Sequence, residues 1–310
     1  MDTQNNGLIK SWLKSPIALP LVLIALVVFY FFGICDVYTV LGNRKSEVFP
    51  WMVDSWNGRN DLLHGFAVPF LFIAFSYQAF KVMRTEPDSS GKSGLLILLL
   101  GLLLFVASAR TIQPRLALIG IPFVISGAVI YASGWKAGRH MLFPAFFWWF
   151  AVPVPGLNQM TNFLQVFVTQ ACYYVGSGLG MDLINTGNDI VSATGKWSEF
   201  KIAEGCSGIR SLMALVMIAA IFAYYTQEEL WKKAVVFAAA LPLALFGNFC
   251  RVFTILVLAE CGFEEFAGGL YHDFAGLFVF FPAALGGLML FDRLLNPKKF
   301  RKKVKITQKR

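Results

Sequence analysis

The stretch Ala203–Tyr225, AEGCSGIRSLMALVMIAAIFAYY, changes character at Leu212. Before that point it holds an acid, two glycines, a cysteine and an arginine. From Leu212 to Tyr225 it holds no charged residue. A bilayer core about 30 Å thick needs roughly 20 apolar residues of helix to cross it. The segment therefore reads as a membrane helix with a polar mouth. The rest of the chain repeats the pattern: 57% of the 310 residues are hydrophobic and the mean hydropathy is +0.62, against about 45–50% apolar for soluble domains.

The excess is gathered into runs at 17–34, 62–80, 95–109, 116–135, 141–154, 208–225, 235–259 and 274–291. The expected fold is an all-α polytopic membrane protein of about eight transmembrane helices, with a small outer helix and β-hairpin segment. The run at 17–34 lacks a small-residue cleavage site and is read as a retained first span rather than a signal peptide. The fifth run is short and aromatic, ends in Val152-Pro153-Val154-Pro155, and leaves a full crossing or a re-entrant path open.

With both termini in the cytoplasm, the inner segments hold Lys10 and Lys14, then Lys81, Arg84 and Lys92, then Lys136 and Arg139, then Lys232 and Lys233, and finally the tail from Lys298. That partition follows the positive-inside rule. The formal net charge of +9 belongs to this topology and to anionic headgroups, not to nucleic acid. The five cysteines form no CxxC pair and no zinc-like spacing with histidine, so no metal or cofactor is expected. Residues 89–94, SSGKSG, lack the spacing of a phosphate loop and read as a linker.

The long outer segment covers 156–205. Residues 161–177 carry apolar residues at helical spacing with Gln165, Thr169 and Gln170 between them, which predicts an interfacial helix. Residues 181–202, with glycines and with alternating residues over 190–195 and 197–202, predict a small β-hairpin.

Ionisable residues within membrane spans cost about 2.5–3.5 kcal/mol each on insertion scales and mark functional sites by default. Cys206 and Arg210 open the sixth span. Asn248 and Arg251 lie in FGNFCRVF of the seventh, and His272 and Asp273 precede the eighth in LYHDFAG. Spans six, seven and eight alternate in direction, so these groups are expected on one outer face. Only three histidines exist. His140 lies on the inner side, and His64 remains an outer-side alternative. His272 is favoured as the base because it is nearest in sequence to the helices with Cys206 and Arg251.

Cys206 would occupy a helix's first turn, where unpaired N–H groups favour a thiolate. Arg210, four residues on, shares its face and adds positive charge. His272 would take the thiol proton, and Arg251 would donate to an oxyanion. Asn248 shares Arg251's face and would orient it or the substrate. Taken singly, each has a plainer reading: a packing cysteine, a snorkelling arginine, a solvated histidine. Their expected convergence favours a cysteine nucleophile.

AEGCSGIRSL, the N-x-x-R of GNFCRVF, the H-x-x-x-G of His272 to Gly276 and the aromatic run ending in Pro153-Val154-Pro155 resemble the exosortase/archaeosortase family, over about 141–291. The resemblance implies a membrane cysteine endopeptidase or transpeptidase in the bacterial inner membrane, its active site on the periplasmic face. Its partners would be exported proteins with a C-terminal Pro-Glu-Pro-like motif, a membrane helix and a basic tail. The triad falls on Cys206, Arg251 and His272, with Glu204 and Asn248 inside matching motifs. The chain then divides into four N-terminal spans (1–140), a catalytic core (141–297) and a basic cytoplasmic tail (298–310). Two rival classes stand beside this reading. A transporter requires polar span midpoints and paired broken helices, which spans three and four do not show. A non-catalytic assembly factor for envelope polysaccharide would use the same residues structurally.

Overall fold

The computed structural model describes residue 26 and residues 29–38, 47–57, 62–86, 91–153, 157–187, 189–197 and 209–296. Most of the first expected span and the whole basic tail lie outside the described residues. Among those described, five helical runs are long and apolar enough to cross a membrane: Leu63–Met83, Lys92–Thr111, Pro114–Ala151, Leu230–Glu260 and Phe278–Leu295. Leu212–Thr226 is a shorter apolar helix. The chain is thus an all-α, multi-pass membrane protein, and it forms two compact units, residues 1–154 and 155–310.

The first unit contains α1 (Val48–Ser55), α2 (Val68–Met83), α3 (Lys92–Thr111), α4 (Pro114–Gly138) and α5 (Leu142–Phe147). α3 and α4 form an antiparallel hairpin along a seam of small residues. A Cβ added at Gly94 would stand 2.2 Å from Tyr131 N, and one at Gly127 would stand 2.3 Å from Leu98 N. At Gly101 the nearest neighbours would be Val124 Cγ2 and N, each at 2.7 Å. Backbone meets backbone here. Lipid tails are as apolar as leucine, so helices in a membrane gain from such close van der Waals approach rather than from the hydrophobic effect.

The run Pro114–Ala151 is not one straight crossing. Gly134 has φ 76° and ψ 170°, a conformation essentially confined to glycine, and the chain reverses there. A Cβ at Gly138 would lie 2.7 Å from Ile130 Cα. Further along, Trp149 Nε1 donates to the Ile119 carbonyl and Arg115 Nε to the Pro153 carbonyl, each at 3.2 Å. The fifth apolar segment therefore returns along α4 from the level of Ile130 to that of Arg115, about 22 Å at 1.5 Å per residue. Its phenylalanines interlock with α2: the Phe75 and Phe147 rings meet edge-on with centroids 5.1 Å apart.

The second unit contains α6 (Leu157–Gly178), β1 (Leu183–Asn185), β2 (Ile190–Ser192), α7 (Ile209–Thr226), α8 (Leu230–Glu260), α9 (His272–Ala275) and α10 (Phe281–Leu295). A β-hairpin forms inside the expected 181–202 segment. Leu183 pairs with Ser192 and Asn185 with Ile190, while residues 198–202 fall outside the described residues. The turn sets its register: Asn185 Oδ1 accepts the Gly187 N–H at 2.8 Å and Thr186 N–H donates to the Asp189 carbonyl, closing the loop ahead of Ile190.

α6 forms as expected, but two of its polar residues face inward. Gln165 and Thr169 are buried, because this side of α6 packs on α8 through Val168 and Cys172. The same core takes in Leu183, Ile190 and Trp197 from the hairpin and Val252, Ile255, Leu256 and Ala259 from α8.

Candidate functional site

The helices α7, α8 and α10 run alternately up and down. One end of this bundle is held by a polar knot. Gln227 Nε2 donates to Asp292 Oδ1, Asn296 Nδ2 donates to Gln227 Oε1 at 2.8 Å, and Lys232 Nζ reaches Asn296 Oδ1 at 3.4 Å. These residues end α7, end α10 and start α8. The start of α7, the later half of α8 and the turns before α10 consequently share the opposite end. That is where the sequence places its candidates.

Arg251 is 8% exposed and Asn248 4%. Both stand on α8, in a helix whose other buried residues are small or apolar. Burying a guanidinium or an amide in such a setting is costly unless it is hydrogen-bonded or paired, and polar groups inside membrane helices mark candidate functional positions. Asn248 Oδ1 has no hydrogen-bond partner among the described residues. Its side chain helps line a small, partly open depression, walled otherwise by Leu164, Leu212, Ala244 and Leu245.

The element carrying His272 packs antiparallel on α8 through a regular series of contacts. Tyr271 Oη donates to Thr254 Oγ1 at 2.9 Å. A Cβ at Gly276 would sit 3.9 Å from Arg251 Cζ. A Cβ at Gly247 would lie 2.8 Å from the Phe280 ring, and one at Gly287 would lie 2.4 Å from Leu243 Cδ2. His272 opens α9 one turn before Gly276, the residue that faces the Arg251 guanidinium. The H-x-x-x-G spacing is the i, i+4 spacing of one helical face. Single π-helical turns, Ala267–Tyr271 and Gly276–Phe280, flank α9 on both sides. Such turns are rare and recur at functional sites.

A family model described as transmembrane exosortase (Exosortase_EpsH) matches residues 56–290. The chain belongs to the transmembrane exosortase family. No curated protein matches it, and no solved structure does. The matched region takes in the AEGCSGIRSL, GNFCRVF and LYHDFAG stretches.

Cys206 and Glu204 lie outside the described residues, and α7 begins three residues after Cys206. Arg210 falls in the first turn of α7. His64 belongs to the first unit, where its ring nitrogens are sheltered from solvent and the Phe150 backbone is its polar neighbour. No group of three or more His, Cys, Asp or Glu able to hold a metal occurs among the described residues.

Sequence reasoning missed five residues. Thr254 and Tyr271 form the hydrogen-bonded link beside Arg251. Lys196 Nζ and Trp197 Nε1 meet Glu260 Oε1 and Oε2 at 2.5 and 2.9 Å, tying the strand-side loop to the end of α8. Thr254, three residues after Arg251, and Tyr271, adjacent to His272, carried a positional signal. Glu260 and Trp197 carried none, because their partnership spans 63 positions.

Proposed function

We propose that the chain is a membrane-embedded cysteine endopeptidase or transpeptidase that removes the C-terminal sorting signals of exported proteins. The observation that carries the reading is Arg251: a buried guanidinium within an apolar helix, facing Gly276 on the element that opens with His272.

In this reading His272 takes the proton of Cys206 Sγ, and the thiolate attacks the scissile carbonyl carbon. The oxyanion that forms is stabilised by N–H donors of Arg251, in a site from which water is largely excluded. Collapse of the tetrahedral intermediate breaks the C–N bond. His272 returns its proton to the leaving amine, and the substrate's acyl group stays on Cys206 as a thioester. Water resolves it to a free carboxylate, or an acceptor amine resolves it to a new amide. Asn248 Oδ1 accepts a backbone N–H of the substrate beside the depression, which supplies the partner that the described residues do not. Arg210 adds positive charge near the thiolate, and Glu204, in the same sequence motif, plays a supporting role.

Substrates in this reading carry a Pro-Glu-Pro-like motif, a membrane helix and a basic tail, so that the scissile bond lies just outside the bilayer. The lysine and arginine placement supports cytoplasmic termini, an inner-membrane location and an outward-facing site.

The test is Cys206→Ala in cells producing a tailed substrate. Full-length substrate should accumulate, and a hydroxylamine-sensitive enzyme–substrate adduct should form with the wild type only. Continued processing in the variant would overturn the enzyme reading and favour the non-catalytic assembly role.

A further inference from the structure

Between the Arg251-bearing helix and the His272-bearing turn runs a chain of two hydrogen bonds. Tyr271 Oη donates to Thr254 Oγ1 at 2.9 Å, and Thr254 Oγ1 donates to the Arg251 carbonyl oxygen at 2.9 Å. Each hydroxyl has one proton and uses it in the same direction, so the two bonds polarise one another. The chain starts on the residue preceding His272 and ends on the backbone of Arg251. We infer that Tyr271 and Thr254 are positioning residues, which set the placement of His272 against Arg251.

The backbone shows why such a link is needed. A continuous α-helix would fix the direction of His272 through its own hydrogen-bond ladder. Here the approach to His272 is a π-helical turn, Ala267–Tyr271, and within it Gly269 leaves the helical region at φ −98° and ψ −111°. A second π-helical turn follows at Gly276–Phe280. The α-helical ladder widens to i→i+5 bonds on both sides of α9, and before α9 the backbone leaves the helical region at Gly269, so the rotation of α9 about its own axis is less firmly set locally. Two contacts to α8 supply what the ladder does not. Gly276 lies against the Arg251 guanidinium, which sets the distance between the elements. The Tyr271 hydroxyl reaches Thr254 one turn away, which sets the rotation. The Tyr271 ring is itself held against Phe266, centroids 5.7 Å apart, and against the core shared by the hairpin and α8. Tyr271→Phe therefore removes the hydroxyl while leaving the ring's packing in place.

The inference rests on the proposed peptidase reading, and the experiment separates the two. Purified full-length protein in detergent is given a tailed peptide substrate, and single-turnover acylation, kcat and KM are measured beside the melting temperature. Tyr271→Phe and Thr254→Val should each lower kcat and the acylation rate about tenfold, since misplacing a reacting group by 1 Å costs up to about 10²-fold, with KM unchanged. Thr254→Ser keeps the hydroxyl and should retain wild-type rates. The double variant Tyr271→Phe/Thr254→Val should be no slower than either single one, because both cut the same chain. Wild-type rates in Tyr271→Phe, losses that multiply in the double variant, or a Thr254→Ser as slow as Thr254→Val would each overturn the inference. A rate loss that follows the melting temperature across all four variants would overturn it as well, by showing a purely structural role. Processing by Cys206→Ala and His272→Ala would instead overturn the peptidase reading itself.

Discussion

The two helical hairpins at the centre of the two units use glycine for opposite ends. In the α3/α4 seam, glycine admits backbone: Gly94 and Gly127 leave 2.2 and 2.3 Å between an added Cβ and a main-chain nitrogen of the facing helix. In the seam between α8 and the α9–α10 region, glycine admits side chains: Gly276 receives the Arg251 guanidinium, Gly247 the Phe280 ring and Gly287 the Leu243 side chain. The first arrangement maximises contact between two helices and leaves no room for chemistry. The second sets side chains, a buried arginine among them, against the facing glycines. Small residues at a membrane-helix interface thus do not by themselves predict tight packing; what stands opposite them decides.

The comparison breaks most completely at Gly127. Gly127→Leu cannot be relieved by a rotamer change, because the obstacle is the Leu98 main chain. Overpacking typically costs about 1–3 kcal/mol, and a backbone obstacle should exceed that. The expected outcome is loss of monodisperse folded protein in detergent size-exclusion runs, and a variant that melts like wild type would refute the close seam.

Arg251→Lys and Asn248→Ala act on the other seam and on function. Lysine keeps the charge but loses the planar fork of donors, and acylation should fall about 10²-fold, the scale of a lost oxyanion donor. Asn248→Ala removes an amide whose Oδ1 lacks a partner among the described residues, so stability should hold or rise slightly while kcat/KM falls. A melting temperature lowered by Asn248→Ala would show instead that the amide is structural.

The glycines of the second seam sharpen the comparison internally. Gly247→Ala meets the Phe280 ring at 2.8 Å and should cost about 1 kcal/mol or more as the ring is displaced. Gly276→Ala meets the guanidinium at an ordinary 3.9 Å and should be neutral or gain up to about 1 kcal/mol of helix propensity. Thermal melts of the pair should rank them in that order. The smallest effect is expected at Glu260→Gln. Its bond to the exposed Lys196 is a solvent-screened ion pair that contributes little, and the Trp197 N–H keeps an acceptor. A melt shift as large as that of Gly247→Ala would show that the clamp matters more than an exposed ion pair does.

Much of this was legible in the sequence because membrane helices announce themselves by length and composition. The α3 and α4 runs needed only their apolar residues, and H-x-x-x-G already set His272 and Gly276 on one face. The fifth apolar segment was ambiguous because its length alone does not tell a re-entrant path from a return arm. The reversal at Gly134 and the Arg115 and Trp149 hydrogen bonds show that it runs back along α4. The hairpin was legible as a segment but not in its register, because alternation is weak over three-residue strands and the deciding signal lay in the Asn185–Gly187 turn. Gln165 and Thr169 looked like a wet helix face because polarity in sequence does not reveal which side a neighbouring helix covers.

By itself the sequence determined that the chain enters a membrane many times and that its costly polar residues stand near the ends of three consecutive apolar segments. It did so because transferring apolar and charged groups between water and lipid is a property of each residue, nearly independent of the others. Only the tertiary structure decided which glycine meets backbone and which meets Arg251, and that Thr254 and Tyr271 join two helices. Those facts depend on the register between elements far apart in sequence, which local chemistry does not encode.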